Sequence, residues 1–432
     1  MVEKPNIIYI HSHDTGRYIQ PYGHPVPTPN LQRLAEEGML FRQAFCAAPT
    51  CSPSRGALVT GQAPHSCGQF GLLNRGFVLR DVHKHFALNL KAAGYSTNLC
   101  GMQHVVKDPN DIYDNIINHK AQAMVNAPRA VEFLNGKPEE PFLLTVGFFE
   151  THRKFADPGR AEDPRYTLPP HPFPDTPQTR EDMAAYKASA RILDQGMGMV
   201  FDALDANGLA QNTLVICTTD HGLANPYMKC NLTDHGTGVM LIIRGPGGFT
   251  GGKVSDALVS HIDLFPTIFD VAGIDPPDWL QGKSLTPLAN GESDEINEEV
   301  YSDVNFHVCY EPQRMVRTRR WKYWKRFDDH RTPVLPNCDD SPTKSVWLDH
   351  GWKERPIAEE CLFDLAFDPN ETNNVAGDPD HQDVLGDMRG RLNRWMEHTD
   401  DPLLQGPIVP PAGSNLNRLD DHSPGDPTYT VE

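Results

Sequence analysis

Residues 51–61 run Cys51-Ser52-Pro53-Ser54-Arg55-Gly56-Ala57-Leu58-Val59-Thr60-Gly61, a cysteine at the head of a short apolar segment. Serines and a proline next to the cysteine open a helix, because proline fits the first turn, where no amide hydrogen is needed. The free amides and the dipole at such a start favour an anion. Arg55 stands four residues after Cys51 and therefore on the same face. The residues alone leave two readings open: an ordinary capped helix start with a buried cysteine, or an anion site with a cysteine and an arginine directed into it.

Outward from this segment, short apolar runs alternate with helical patterns. Strands are expected at Asn6–Ile10, Ser96–Cys100, Phe142–Gly147, Thr213–Thr218 and Val239–Ile243. Helices are expected near Asn30–Glu37, Ala121–Leu134 and Arg180–Leu204. Apolar strands separated by helices imply an α/β fold with a mostly parallel sheet covered on both faces. The Pro- and Asp-rich stretch 153–178 reads as a long surface loop. After about Asn290 the character changes. Met315–Arg326 is strand-like, 328–356 is irregular, and Val384–Glu397 places Leu385, Met388, Leu392 and Trp395 at helical spacing. The expected division is a large catalytic domain over 1–290 and a smaller C-terminal α+β subdomain over 291–432, with strands and a closing helix. The last thirty residues, rich in Pro, Asp and Asn, predict a loosely packed tail.

The chain has 432 residues, 39% hydrophobic and 22% charged, enough for one large core and an annex. No run of eighteen apolar residues exists, so no membrane span is expected. Met1-Val2-Glu3-Lys4-Pro5 shows no charged and then apolar leader, which predicts a cytoplasmic protein. Nine cysteines, an odd number without zinc-site spacing, predict reduced thiols. A net charge of −18 argues against nucleic acid and anionic membrane as partners. An anionic substrate would need a locally positive pocket made by a metal, Arg and Lys.

Cys51-x-Pro53-Ser54-Arg55 followed by Leu58-x-Thr60-Gly61 resembles the signature of type I sulfatases, in which the cysteine is oxidised to formylglycine (3-oxoalanine). The likeness reaches both ends of the chain. Pro5-Asn6-Ile7-Ile8 with Asp14 and Gly16 is similar to the family's opening strand, and Thr28-Pro29-Asn30-Leu31 to the helix after it. Leu362-Phe363-Asp364-Leu365, Asp368-Pro369, Glu371 and Asn374 resemble its C-terminal run. The resemblance implies an alkaline-phosphatase-like α/β/α sandwich and a hydrolase that releases sulfate from a sulfuric ester or sulfamate. It implies Asp14, Cys51, Asp220 and His221 as ligands of one divalent metal, with His13 a further ligand. It also implies catalytic roles for Cys51, Arg55, His104, His152 and Lys229. A polar pair such as Asp220-His221 after a strand is commonly just solvated, although the carboxyl ends of strands are where ligands bind in open α/β sheets. The resemblance makes it a ligand pair.

The chemistry so implied begins with a hydrated formylglycine, which attacks sulfur in line. His152 protonates the leaving atom, Arg55 and Lys229 neutralise the sulfuryl oxygens, and His104 takes the proton that lets sulfate go. Two positions depart from the pattern. His13-Asp14 replaces two adjacent carboxylates, and Met102 in Gly101-Met102-Gln103-His104 replaces a lysine. Calcium is the metal the resemblance implies, and the added imidazole opens the site to manganese or zinc.

Asp220–Pro226 with Lys229-Cys230-Asn231-Leu232 is similar to heparan N-sulfatases (sulfamidases), as is Phe306-His307…Tyr310-Glu311-Pro312. This implies a sulfated sugar as substrate, with His307 reaching it from the annex. A formylglycine-generating enzyme is the implied maturation partner, and association with further copies of the chain is left open. Two other readings remain at this point: a phosphonate or phosphate ester hydrolase on the same scaffold, and, more remotely, an inactive sugar-sulfate binding protein.

Overall fold

The six residues Asn-Ile-Ile-Tyr-Ile-His form β1 (Asn6–His11), all buried, as suits the middle of a sheet covered on both faces. In the computed structural model, which describes residues 4–432, β1 pairs in parallel with β5 (Phe142–Gly147) and β6 (Thr213–Thr218). The expectation drawn partly from Met1, Val2 and Glu3 lies outside the described residues. Further strands are β2 (Met39–Phe45), β3 (Ser96–Gly101), β4 (Asn115–Asn118), β7 (Leu241–Arg244) and β8 (Lys253–Ser260). They complete an eight-stranded sheet in the order β4-β3-β5-β1-β6-β7-β2-β8. Only β7 runs against its neighbours there.

Period two places alternate residues of β1 in opposite layers. Ile7 and Tyr9 pack with Leu58, Phe86 and Phe265 on one face. Ile8 and Ile10 pack on the other with Leu31, Leu34, Ala127, Leu193 and Met197. The helices Pro29–Glu37, Ala123–Asn135 and Pro177–Ala206 cover this second face. The architecture is thus the expected α/β/α sandwich.

Three strands escaped the apolar pattern, namely β2, β4 and β8. In β2 the polar pair Arg42-Gln43 interrupts the apolar run, and β8 begins with exposed Lys253 and Val254. The expected Val239–Ile243 strand starts two residues later, at Leu241.

The annex carries an antiparallel sheet of β9 (Val300–Phe306), β10 (Tyr310–Arg317), β11 (Trp321–Arg326) and β12 (Glu360–Asp364), in the order β12-β11-β10-β9. The strand-like Met315–Arg326 is therefore two strands joined by a turn. The helix Gln382–His398 lays Leu385, Met388, Leu392 and Met396 on Val316, Tyr323 and Leu362. A helix, Pro342–Asp349, also forms inside the stretch expected to be irregular. Buried polar contacts join the annex to the large sheet. Lys322 Nζ lies 2.6 Å from Asp234 across the seam and 2.7 Å from Glu371 of the annex itself, and His65 Nδ1 lies 2.6 Å from Asp303. Such pairs offset their desolvation only when the geometry is good and further hydrogen bonds are made.

The tail corrects its expectation. Ser414, Leu416 and Asn417 are buried, and Asn415–Leu416 pairs with Tyr429–Thr430. The amide of Asn417 donates to Val308 O at 2.9 Å. A segment without apolar period is held here by backbone hydrogen bonds and a short strand pair, which composition does not reveal.

Candidate active site

Parallel strands end on the same edge of a sheet, and this edge collects the chemistry. His13 and Asp14 follow β1, His104 follows β3, His152 follows β5, and Asp220-His221 follow β6. Beyond β2, the fully buried helix Cys51–Thr60 begins with Cys51 itself. Thr50 stands at its N-cap with no side-chain capping bond, so the head of this helix is not an ordinary capped start. Gly147, at the end of β5, keeps the edge tight, since a Cβ there would fall 1.9 Å from Met102 O.

One donor atom from each of His13, Asp14, Cys51, Asp220 and His221 lies within 4.8 Å of all the others, and all five residues are buried. His221 Nδ1 donates to Gly222 O at 3.0 Å, which leaves Nε2 bare. That nitrogen lies 3.3 Å from Asp14 Oδ1, 3.6 Å from Asp220 Oδ2 and 3.5 Å from Cys51 Sγ. His13 Nδ1 sits 2.7 Å from Asp14 Oδ1 and 3.1 Å from Asp220 Oδ2. Burial drives the His13 pKa down to about 4, so its ring is neutral near pH 7 and has a lone pair for a metal. Burial opposes ionisation of Asp14 and Asp220 as well. Neighbouring Lys229, Arg55 and histidines outweigh it and hold both well below the usual carboxylate range. Two carboxylates, two imidazoles and a cysteine position directed at one point fit a divalent cation.

The cations around this cluster differ in role. Arg55 is 2% exposed. It donates to Asp220 Oδ2 at 3.0 Å, to Ser12 O at 2.9 Å and to His11 Nδ1 at 2.6 Å. Its guanidinium fixes Asp220, while Arg55 Nε has no partner among the described residues. Lys229 Nζ lies 3.1 Å from Asp14 Oδ2 and keeps its place beside Cys51. His152 donates from Nδ1 to Arg153 O at 2.6 Å, so its Nε2 faces the site, 3.9 Å from Asp14 Oδ2. The rings of His13 and His104 are 6.4 Å apart, and burial lowers the His104 pKa to about 3.

His307, on the turn between β9 and β10, is 5% exposed and lies within charge range of Lys229, Asp339, His221 and Asp14. All the residues expected at the site thus gather there, including the one from the annex. Two participants were missed. His11 supports Arg55, and Asp339 lies 2.9 Å from Lys229 Nζ. Nothing in the local sequence marks Asp339, because its partner lies 110 positions earlier in the chain. All nine cysteines are free and buried. No helix of the described residues is long and apolar enough to cross a membrane.

With this fold and this cluster in place, a family model described as Sulfatase matches residues 5–274, more than half of the chain. The chain belongs to the sulfatase family. A second model, N-sulphoglucosamine sulphohydrolase, C-terminal, matches residues 221–346. The chain is 30% identical to human N-sulphoglucosamine sulphohydrolase, over 88% of each sequence. It is 29% identical to an ulvan-active sulfatase of Formosa agariphila, over 98% of this chain and 86% of that one. Its fold is similar to a solved 2-O GAG sulfatase, with a TM-score of 0.72 at 21% identity, covering 93% of this chain and 94% of the other.

Proposed function

We propose that this sulfatase releases inorganic sulfate from a sulfated carbohydrate, with the sulfate on nitrogen or on a ring hydroxyl of an amino sugar. The observation that carries this reading is the convergence of Cys51 with His13, Asp14, Asp220 and His221 beside Lys229. The likeness to N-sulphoglucosamine sulphohydrolase in both sequence and C-terminal family model supports the sugar class.

His13, Asp14, Asp220, His221 and the Cys51 position would hold one divalent cation, calcium by family likeness, with manganese or zinc favoured more than usual by the two imidazoles. The cation and a Cys51-derived formylglycine, when present, supply Lewis acidity and an oxygen nucleophile at neutral pH. The chain's own groups do the rest. Arg55 fixes Asp220 so that its carboxylate keeps one orientation. Lys229 offers an N–H to a sulfuryl oxygen and offsets its charge. His152, with Nδ1 bound to Arg153 O, presents Nε2 to the leaving oxygen or nitrogen and gives it a proton. His104, neutral through burial, is the base that takes a proton in the step that frees sulfate. Unmodified, the Cys51 thiol has its pKa raised by burial, so it stays protonated and is a poor nucleophile.

His307 tests the sugar class. A lost hydrogen bond to a sugar costs about 1–3 kcal/mol, so His307→Ala should lose roughly ten- to a hundredfold in kcat/KM on a sulfated glucosamine. The rate on a small aryl sulfate, which does not extend to the annex, should hardly change. Equal losses on both would mean that His307 supports the site itself, and the sugar reading would lose its local argument.

A further inference from the structure

Lys229 serves two carboxylates at once. Its Nζ lies 3.1 Å from Asp14 Oδ2 and 2.9 Å from Asp339 Oδ2, and the residue is 1% exposed. The ammonium and the two carboxylates thus form a buried cluster of opposite charges at close range. An ammonium has three N–H donors; Lys229 gives one to Asp14 Oδ2 and meets Asp339 Oδ2 as a charge contact without hydrogen-bond geometry, so N–H capacity remains for a further partner.

Asp339 is not free to turn away. The loop that carries it is fastened from beneath by Lys344, itself 2% exposed. Lys344 Nζ shares its three N–H groups among four acceptors, Leu335 O at 3.0 Å, Cys338 O at 2.8 Å, Asp340 Oδ1 at 2.9 Å and His422 O at 2.7 Å. At the other end of the loop, Asn337 Oδ1 accepts from the amides of Val308 and Cys309 at 3.1 and 2.9 Å. The loop is thus tied to the His307 turn. An anion taken up by a remaining N–H of Lys229 would sit beside a fixed charge of its own sign.

We propose that Asp339 competes with the sulfate group for Lys229, loosening the hold on inorganic sulfate and easing its release after turnover. This inference rests on the reading of the site as a sulfate site. It separates charge from shape, because Asp339→Asn keeps an acceptor oxygen for Lys229 and almost the same volume while removing the negative charge. Inorganic sulfate binding to the purified holoenzyme, followed by calorimetry, reads the effect without turnover. Removing a charge a few ångströms from the ligand should tighten the Kd of Asp339→Asn for inorganic sulfate by about tenfold or more. Product inhibition by sulfate should strengthen in parallel, and kcat and KM for a sulfated substrate should fall together, because release becomes slower. Asp339→Ala is the second variant, should the first fold poorly, and it should also bind sulfate more tightly. Unchanged or weaker sulfate binding in a folded variant overturns the inference and leaves Asp339 as a mere prop for Lys229. Wild type and both variants alike binding no inorganic sulfate overturns the sulfate-site reading, and the inference with it.

Discussion

Cys51→Ala should abolish turnover, by at least about 10⁴-fold, while circular dichroism and the unfolding midpoint stay close to wild type. The side chain is small and sits at the first turn of its helix, so alanine fills the position without a large cavity. What is lost is the group that, on the proposed function, is converted into the nucleophile. A peptide mass across residues 51–55 accompanies the assay, because oxidation of the thiol to the aldehyde lowers the mass of that segment. Cys51→Ala protein that still turns over near the wild-type rate would show that another group attacks. Wild-type protein that carries unmodified cysteine should be nearly as inactive as the variant, for the protonated thiol has no second hydroxyl with which to expel sulfate.

The second large effect is on stability. Asp220→Ala removes the carboxylate that Arg55 meets at 3.0 Å in a place with almost no solvent. A buried charge stripped of its partner costs about 3–5 kcal/mol. Denaturant unfolding in the presence of a chelator should show a loss of that order, independent of any bound cation. The double variant Asp220→Ala/Arg55→Met should regain part of it, since no unpaired charge remains. Both variants should be inactive and should retain less metal after dialysis than the wild type. Equal stability of the single and double variants would mean that Ser12 O and His11 suffice to hold the guanidinium.

Much of this was legible in the sequence because it is local. Six-residue apolar runs such as Phe142–Gly147 and Thr213–Thr218 match their strands residue for residue, since each is buried on both faces. The segment at Cys51 and the groups after β1, β3, β5 and β6 carry family likeness in short motifs, and the parallel sheet brings them to one edge. Other features depend on partners far away. β2 delivers Cys51 yet hides behind Arg42-Gln43, a polar interruption tolerated because the rest of the strand is buried. The resemblance gave Arg55 a part in neutralising the sulfuryl group, and the structure adds its hold on Asp220, which no local pattern marks. Asp339 and the packed tail have no motif. Their positions follow from Lys344, whose ammonium gathers acceptors from residues 335, 338, 340 and 422.

That gathering point has a bearing on the order of events during synthesis. The twelve strands of the two large sheets are all encoded before residue 365, so they can leave the ribosome and pair while later residues are still being added. His422 and Asn417 come afterwards, and only then does Lys344 gain its fourth acceptor and the turn beside His307 its brace. A chain cut ahead of residue 415 would keep both sheets and every candidate metal ligand, but with a slack wall beside the His307 turn. Such a truncated protein should therefore fold and bind metal, yet handle small aryl sulfates better than a sulfated sugar.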